Sequence, residues 1–250
     1  MKNHRIWLAA ILAAALTMPA AWAIQLDDKA IFIEINDTDG DAGIQLFLDG
    51  EGWEFMSLRD PDGKLIFSVT ARGSIAMQGV TELFFESAEP SFDEQPLDEL
   101  LALFPEGEYR FIGRTTDNVP LRGKALLTHA LPGAPVIVLP VEGDEDVDPD
   151  NAVIQWQPVA DPPGSKIISY EVVVEKDEGA LRVFKADLGP AATTVTVPPE
   201  FLQDATLYTV EVIAKESSGN QTISERPFAT EGGSIPDDDE EDAADDEEDG

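Results

Sequence analysis

The sequence predicts an all-β protein of two β-sandwich-like domains, the first carrying one short helix, followed by a disordered acidic tail. Three observations predict this. Short apolar runs recur at close intervals, Asp-Gly and Pro-Asp-Gly turn sequences separate many of them, and one stretch alone shows a clear helical apolar period.

Composition narrows the functional classes. The 250 residues carry 50 Asp and Glu against 16 Lys and Arg, for a formal net charge of −34, with no cysteine and 43% hydrophobic residues. Disulfides, thiol nucleophiles and cysteine zinc sites are therefore excluded, and the cores must be held by packing. Nucleic-acid binding is disfavoured as well, because phosphate recognition needs clustered Lys and Arg that the chain does not contain.

Residues 1–23 read as a signal peptide. Lys2 and Arg5 precede the apolar run Ile6 to Leu16, and Ala21-Trp22-Ala23 supplies a small-x-small cleavage pattern. The run is shorter than the roughly 20 residues a membrane span needs, so no transmembrane segment is expected after processing. The mature chain is expected to begin at Ile24 and to be exported, to the periplasm or beyond, and the alanine-rich leader points to a bacterium. At the other end, the tail is assigned to residues 233–250. From Asp237 to Gly250 it holds 11 acids in 14 residues and no apolar residue larger than alanine, too little to offset its ordering entropy. The body between still holds 39 acids against 14 bases, so its surface is acidic throughout.

Within residues 24–131, strands are expected at Ala30 to Ile35, Ile44 to Leu48, Trp53 to Leu58, Leu65 to Val69 and Val80 to Ser87. Turns are expected at Asp37 to Asp41, at Asp49-Gly50-Glu51-Gly52 and at Asp60-Pro61-Asp62-Gly63. The helix follows Pro96. Asp98 and Glu99 suit the positive end of its dipole, while Leu97, Leu100, Leu101 and Phe104 fall on one stripe that Pro105 ends. Tyr109 to Gly113 and Leu121 to Thr128 then pair across Asp117-Asn118. The helix is read as covering an open end or edge of the sandwich.

The segment Leu131 to Pro135 is a stiff linker, and residues 132–232 form the second domain. Its strands are expected at Val136 to Leu139 (A), Ala152 to Trp156 (B), Ile167 to Glu175 (C), Leu181 to Ala186, Thr193 to Val197 (E), Tyr208 to Ala214 (F) and Gln221 to Phe228 (G). A tryptophan closing B, Tyr170 in C, and Leu202 six residues before Tyr208 in the run YTVEVIA resemble the core pattern of a fibronectin type III domain. That resemblance implies Trp156 between two sheets and a Tyr208 hydroxyl bonded to backbone at the E–F corner. It also implies a spacer or binding role, as such domains have in bacterial secreted and surface proteins. Some members bind receptors through an Arg-Gly-Asp tripeptide between F and G. Here the loop is Glu216-Ser217-Ser218-Gly219-Asn220, so that activity does not carry over.

Few residues suggest chemistry. Asp37, Asp39 and Asp41 alternate on a tight loop and are candidate calcium ligands, although Ala42 and Leu48 break the EF-hand pattern. The acidic segment Glu142 to Asp150 is a solvated loop of similar charge. His129, the one histidine of the mature chain, lies beside the linker, and no Gly-x-Ser-x-Gly elbow accompanies it. No catalytic or cofactor-binding residue is assigned. Trp53 and Trp156 stack on sugar if exposed and pack if buried, and burial is expected for both. Asn220-Gln221-Thr222 matches a glycosylation sequon, a match without meaning behind a bacterial leader.

These features predict an exported, non-catalytic binding or spacer protein of the bacterial cell envelope or exterior. Its partner is expected to be a protein or glycan surface, not nucleic acid. The alternatives are a small hydrolase with paired carboxylates in the first domain, and a calcium-dependent adhesin component.

Overall fold

The computed structural model describes residues 22–176 and 181–236. The leader, apart from Trp22 and Ala23, and the acidic run 237–250 lie outside the described residues. The described residues are all-β, with fourteen strands, two short helices and one 3-10 turn. The strands are β1 (Ile24–Gln25), β2 (Asp28–Asn36), β3 (Asp41–Arg59), β4 (Leu65–Thr70), β5 (Val80–Glu86), β6 (Gly107–Thr115) and β7 (Pro120–Leu127). They continue as β8 (Ile137–Leu139), β9 (Val153–Trp156), β10 (Ile167–Lys176), β11 (Leu181–Leu188), β12 (Thr194–Thr196), β13 (Leu207–Glu216) and β14 (Gln221–Ala229). The helices are α1 (Gly73–Gln78) and α2 (Leu97–Leu103).

In the amino-terminal half, β3 is the spine. Its first part pairs with β2 and β5, and its second with β4 and β6, so one bent strand serves both layers of the sandwich. The turn expected at Asp49 to Gly52 is therefore a bend inside a 19-residue strand. Glycine allows it because a side chain on Gly50 would come within 3.0 Å of Leu26 Cδ2. The turn at Asp60 to Gly63 forms as expected, closed by the Gly63 N–H donating to Asp60 O with Gly63 at φ +86°. Leu26, Ile31, Ile33, Leu46, Trp53, Tyr109 and Phe111 fill the space between the layers. Leu97, Leu100, Leu101 and Phe104 of α2 and its exit pack on that core, as their spacing requires. Beneath α2 a small apolar cavity of about 220 Å³ remains, lined partly by the stacked rings of Phe67 and Phe85. The irregular stretch after Arg72 contains α1, which buries none of its residues.

The carboxy-terminal half has the expected strand succession, each element within a few residues of its sequence assignment. β10, β11, β13 and β14 form one layer, and β12, β9 and β8 the other. Trp156 lies between them with 2% of its surface exposed, its ring 5.3 Å from that of Tyr170. Tyr208 is fully buried and stacks on Phe228, and its hydroxyl accepts the Gln203 N–H at 2.8 Å. Residues 233–236 follow the domain closely: the Gly233 N–H donates to Thr230 O, and the Ile235 N–H to Glu145 Oε1.

The two halves share one sheet. β14 runs parallel to β2 in the register Gln221 to Glu34, Thr222 to Ile35 and Ile223 to Asn36, so an 11-stranded sheet passes from one core to the other. A polar clamp holds the seam. Asn220 is fully buried; its Oδ1 accepts the Ile33 N–H at 2.9 Å, and its Nδ2 donates to Thr128 O at 2.8 Å and to Thr128 Oγ1 and Ala130 O. Thr222 Oγ1 donates to Pro132 O, fixing the linker as well.

Removing the clamp amide strands buried donors and acceptors on both sides, each costing about 1–3 kcal/mol when unpaired. We expect Asn220→Ala to lower unfolding free energy by about 2–4 kcal/mol in urea titration, whereas Ser74→Ala on α1, which buries nothing, changes it by less than about 0.5 kcal/mol.

Candidate functional site

The seam brings together residues that are far apart in sequence. β2 presents Phe32 and Glu34 on the outer face of the shared sheet, β3 presents Gly43 and Gln45, and β5 presents Phe84 and Glu86. β14 adds Gln221 and Ile223. Period-2 alternation puts all of them on one side, opposite Ile31, Ile33 and Leu46 in the core. A groove of about 460 Å³ runs over this face and continues across β13, β10 and β11.

Glu34 lies at the bottom of the acidic end, only 9% exposed. Its carboxylate accepts hydrogen bonds from Gln45 Nε2 at 2.7 Å and from Gln221 Nε2, and Gln45 Nε2 also reaches Glu86 Oε1 at 2.8 Å. Glu89 leans over Gly43; a side chain on Gly43 would meet Glu89 Cγ at 2.7 Å, so glycine makes room for the carboxylate. Among the described residues, Glu34, Glu86 and Glu89 can bring carboxylate oxygens within 4.8 Å of one another. Burial, helped by Glu89 and Glu86, pushes the Glu34 carboxyl up to about 7. Burial also raises Glu89 to about 7, reinforced by Glu86, Asp41 and Asp39. Farther along the face, burial and the neighbours Glu175 and Glu225 raise Glu211 to about 7. Glu171 differs. Burial pushes it up, but the ammonium groups of Lys185 and Lys215 grip both its oxygens and hold it below the ordinary value.

The aspartates singled out in the sequence sit at the β2–β3 hairpin on the rim of this cluster. The Gly40 N–H donates to Asn36 O, and Asn36 Oδ1 accepts the Thr38 and Asp39 N–H groups, an Asx-type turn. Asp39 Oδ2 accepts from Asn36 Nδ2 at 3.0 Å. Asp41 Oδ1 is buried with no donor facing it, and its carboxyl is raised by burial and by Asp39. The carboxylate group that converges is Glu34, Glu86 and Glu89, and it does not include Asp37, Asp39 and Asp41. Sequence reasoning missed those glutamates because Glu34 has the alternation of a solvated strand position, Glu86 closes β5, and Glu89 lies in the segment that follows it.

Other candidates resolve as packing. Trp53 and Trp156 are 1% and 2% exposed, so neither indole offers a sugar platform. His129 Nε2 lies 2.9 Å from Phe104 O; a carbonyl only accepts, so Nε2 carries the proton and ties the end of α2 to the linker. The Asn220 amide is spent in the clamp and closed to glycosylation. The loop between β13 and β14 is organised by the fully buried Glu216 carboxylate, which accepts from Ser165 Oγ, Ser218 Oγ and the N–H groups of Ser218 and Asn220. Among the described residues, no helix is long and apolar enough to cross a membrane.

The raised carboxyls set the sign of the pH dependence. An acid whose folded pKa exceeds its unfolded value contributes stability that is full below the unfolded value and is lost as pH rises through the folded one. For Glu34, Glu89 and Glu211 that window runs from about 4.5 to about 7. Glu171, shifted the other way, works against the trend below this window. Thermal melts are expected to show a higher Tm at pH 5.5 than at pH 8, and Glu34→Gln to raise Tm at pH 8 and flatten the slope.

The fibronectin type III domain family model matches residues 140–230. No curated protein matches the chain. Solved structures similar to it include the fibronectin(III)-like modules of Clostridium thermocellum CbhA, at 10% identity and TM-score 0.35, covering 82% of this chain and 93% of that one. The fn3 domain of the human collagen alpha-1(XX) chain is 22% identical, with TM-score 0.31, over 44% of this chain and 95% of that one. A two-domain fibronectin type III segment of chicken tenascin is 14% identical, with TM-score 0.30, over 81% of this chain and all of that one. The matched residues span β9 to β14, with the buried Trp156 and the Tyr208 corner bond at their centre, and the chain is a fibronectin type III domain-containing protein.

Proposed function

We propose that the chain is an exported, non-catalytic binding and spacer protein of the bacterial cell envelope or exterior. The observation that carries the reading is the continuous sheet at the seam. A fibronectin type III fold is the fold of a binding or spacer module, and here its final strand is hydrogen-bonded into the neighbouring domain. A spacer built this way holds its length and orientation, because hinge motion would break the β2–β14 ladder and the Asn220 clamp together. The leader-like residues 1–23 support export, and a chain without cysteine folds there without oxidation.

The arrangement gives little support to a hydrolase. Amide donors from Gln45 and Gln221 already occupy Glu34, the most buried of the converging carboxylates. Calcium at Asp37, Asp39 and Asp41 is a second reading, favoured by the undonated, buried Asp41 Oδ1.

Small-angle scattering from the full chain is expected to fit one rigid two-domain body, and a distribution of interdomain angles would overturn the spacer reading. Protein recovered after expression in a bacterial host is expected to begin at Ile24 and to lie outside the cytoplasm; cytoplasmic product retaining Met1 would refute export. For calcium, calorimetry on wild type and Asp39→Ala decides: heat and a melting shift in wild type alone support the site, and neither in wild type ends it.

A further inference from the structure

The groove on the outer face of the shared sheet crosses β5, β3, β2, β14, β13, β10 and β11. Phe32, Ile213 and Ile223 line it, and Phe84 stands 57% exposed at its amino-terminal end. Its three cations are already committed: Lys185 and Lys215 to Glu171, and Arg182 to Glu175. Among the described residues Glu34, Glu86 and Glu211 make no ion pair; Lys215 and Arg182 act on Glu34 and Glu211 only from a distance, while Glu89 and Glu86 crowd Glu34, and Glu175 and Glu225 crowd Glu211. The face is thus apolar below and acidic above, with more carboxylates than cations.

We propose that this face docks an extended, Arg- and Lys-bearing segment of a partner protein. The inference rests on the binding-module reading and names the partner's chemistry. Charge complementarity selects the occupant. A second copy of this chain, carrying the same acid excess, is repelled from the face, whereas guanidinium and ammonium groups replace the missing cations at Glu34, Glu86 and Glu211. Their aliphatic stems lie along Phe32, and the exposed ring of Phe84 accepts a guanidinium on its face. Adjacent strands lie about 4.8 Å apart, so the seven strands span roughly 29 Å, the reach of about nine extended residues. Both halves contribute, so the site exists only while the seam is closed.

The test is fluorescence anisotropy with a labelled nonapeptide alternating Arg and Leu, against its Glu-Leu counterpart, using the full chain at about 50 mM and about 300 mM salt. Wild type is expected to bind the basic peptide and not the acidic one, and to weaken with salt. Glu86→Gln/Glu89→Gln is expected to weaken binding about tenfold and Phe84→Ala about threefold. Asp144→Asn/Glu145→Gln, in the loop between β8 and β9, should leave it unchanged, with circular dichroism melts establishing that each variant is folded. Binding lost equally from the control loop variant, or on replacing the acids of 237–250 by Asn and Gln, would reveal nonspecific attraction and overturn the proposal. Calcium alone binding at Glu86 and Glu89, with the peptide indifferent to both, would overturn it as well. Failure here with rigid-body scattering intact refutes the docking face and leaves the spacer reading standing.

Discussion

The structure depends on the buried amide of Asn220. An amide fully removed from water must satisfy its oxygen and both its N–H groups, and this one does so only with atoms of the other half: Ile33 N, Thr128 O, Thr128 Oγ1 and Ala130 O. That requirement sets the position of the β13–β14 loop, and the loop sets the register of β14 beside β2. Only three residue pairs make up the parallel ladder, too few to define an orientation unaided. The clamp and the Thr222 bond to the linker supply the rest. The loop between β13 and β14 is thus spent on internal architecture.

Most of the fold is legible in the sequence where the signal is local. Alternation in IISYEVVVE and YTVEVIA, the Asp-Gly turns and the apolar stripe of α2 each follow from neighbours a few residues apart, and the strands appear where they place them. The bend at Gly50 to Gly52 is not legible in the same way. Asp-Gly-Glu-Gly is good turn chemistry, and it becomes a bend because Leu26, far upstream, packs against Gly50 while β2 and β6 claim successive parts of one strand. The seam is still less visible. A parallel pair formed by residues 187 positions apart carries no short-range pattern. From sequence alone the halves read as two sandwiches joined by Pro132, and the shared sheet emerges only in three dimensions.

The acidic cluster illustrates the same limit. Asp37, Asp39 and Asp41 attract attention because they are adjacent, whereas Glu34, Glu86 and Glu89 matter because three chain segments converge on Gly43. In Ile33-Glu34-Ile35 the glutamate has the alternation of a solvated position. It is buried because Gln221 of the other half covers it. A glutamine pair facing outward on β3 and β14 was the available clue, since two amides aimed at one carboxylate are a common way to bury it.

Keeping Glu34 ionised beside Glu86 and Glu89 carries a cost that a lysine at Gln45 or Gln221 would remove. Neutral amides satisfy the hydrogen bonds but bring no opposing charge, and burial first, with Glu89 and Glu86 adding repulsion, lifts Glu34 to about 7. Across the same face, Glu171 shows that the fold can neutralise a buried acid fully when two lysines are placed against it. The contrast between these two glutamates on one sheet argues that the uncompensated field at the seam is tolerated by the fold and not forced by it. A protein that forgoes such local stability retains a surface whose electrostatics are completed from outside, which is where stability and binding pull in opposite directions.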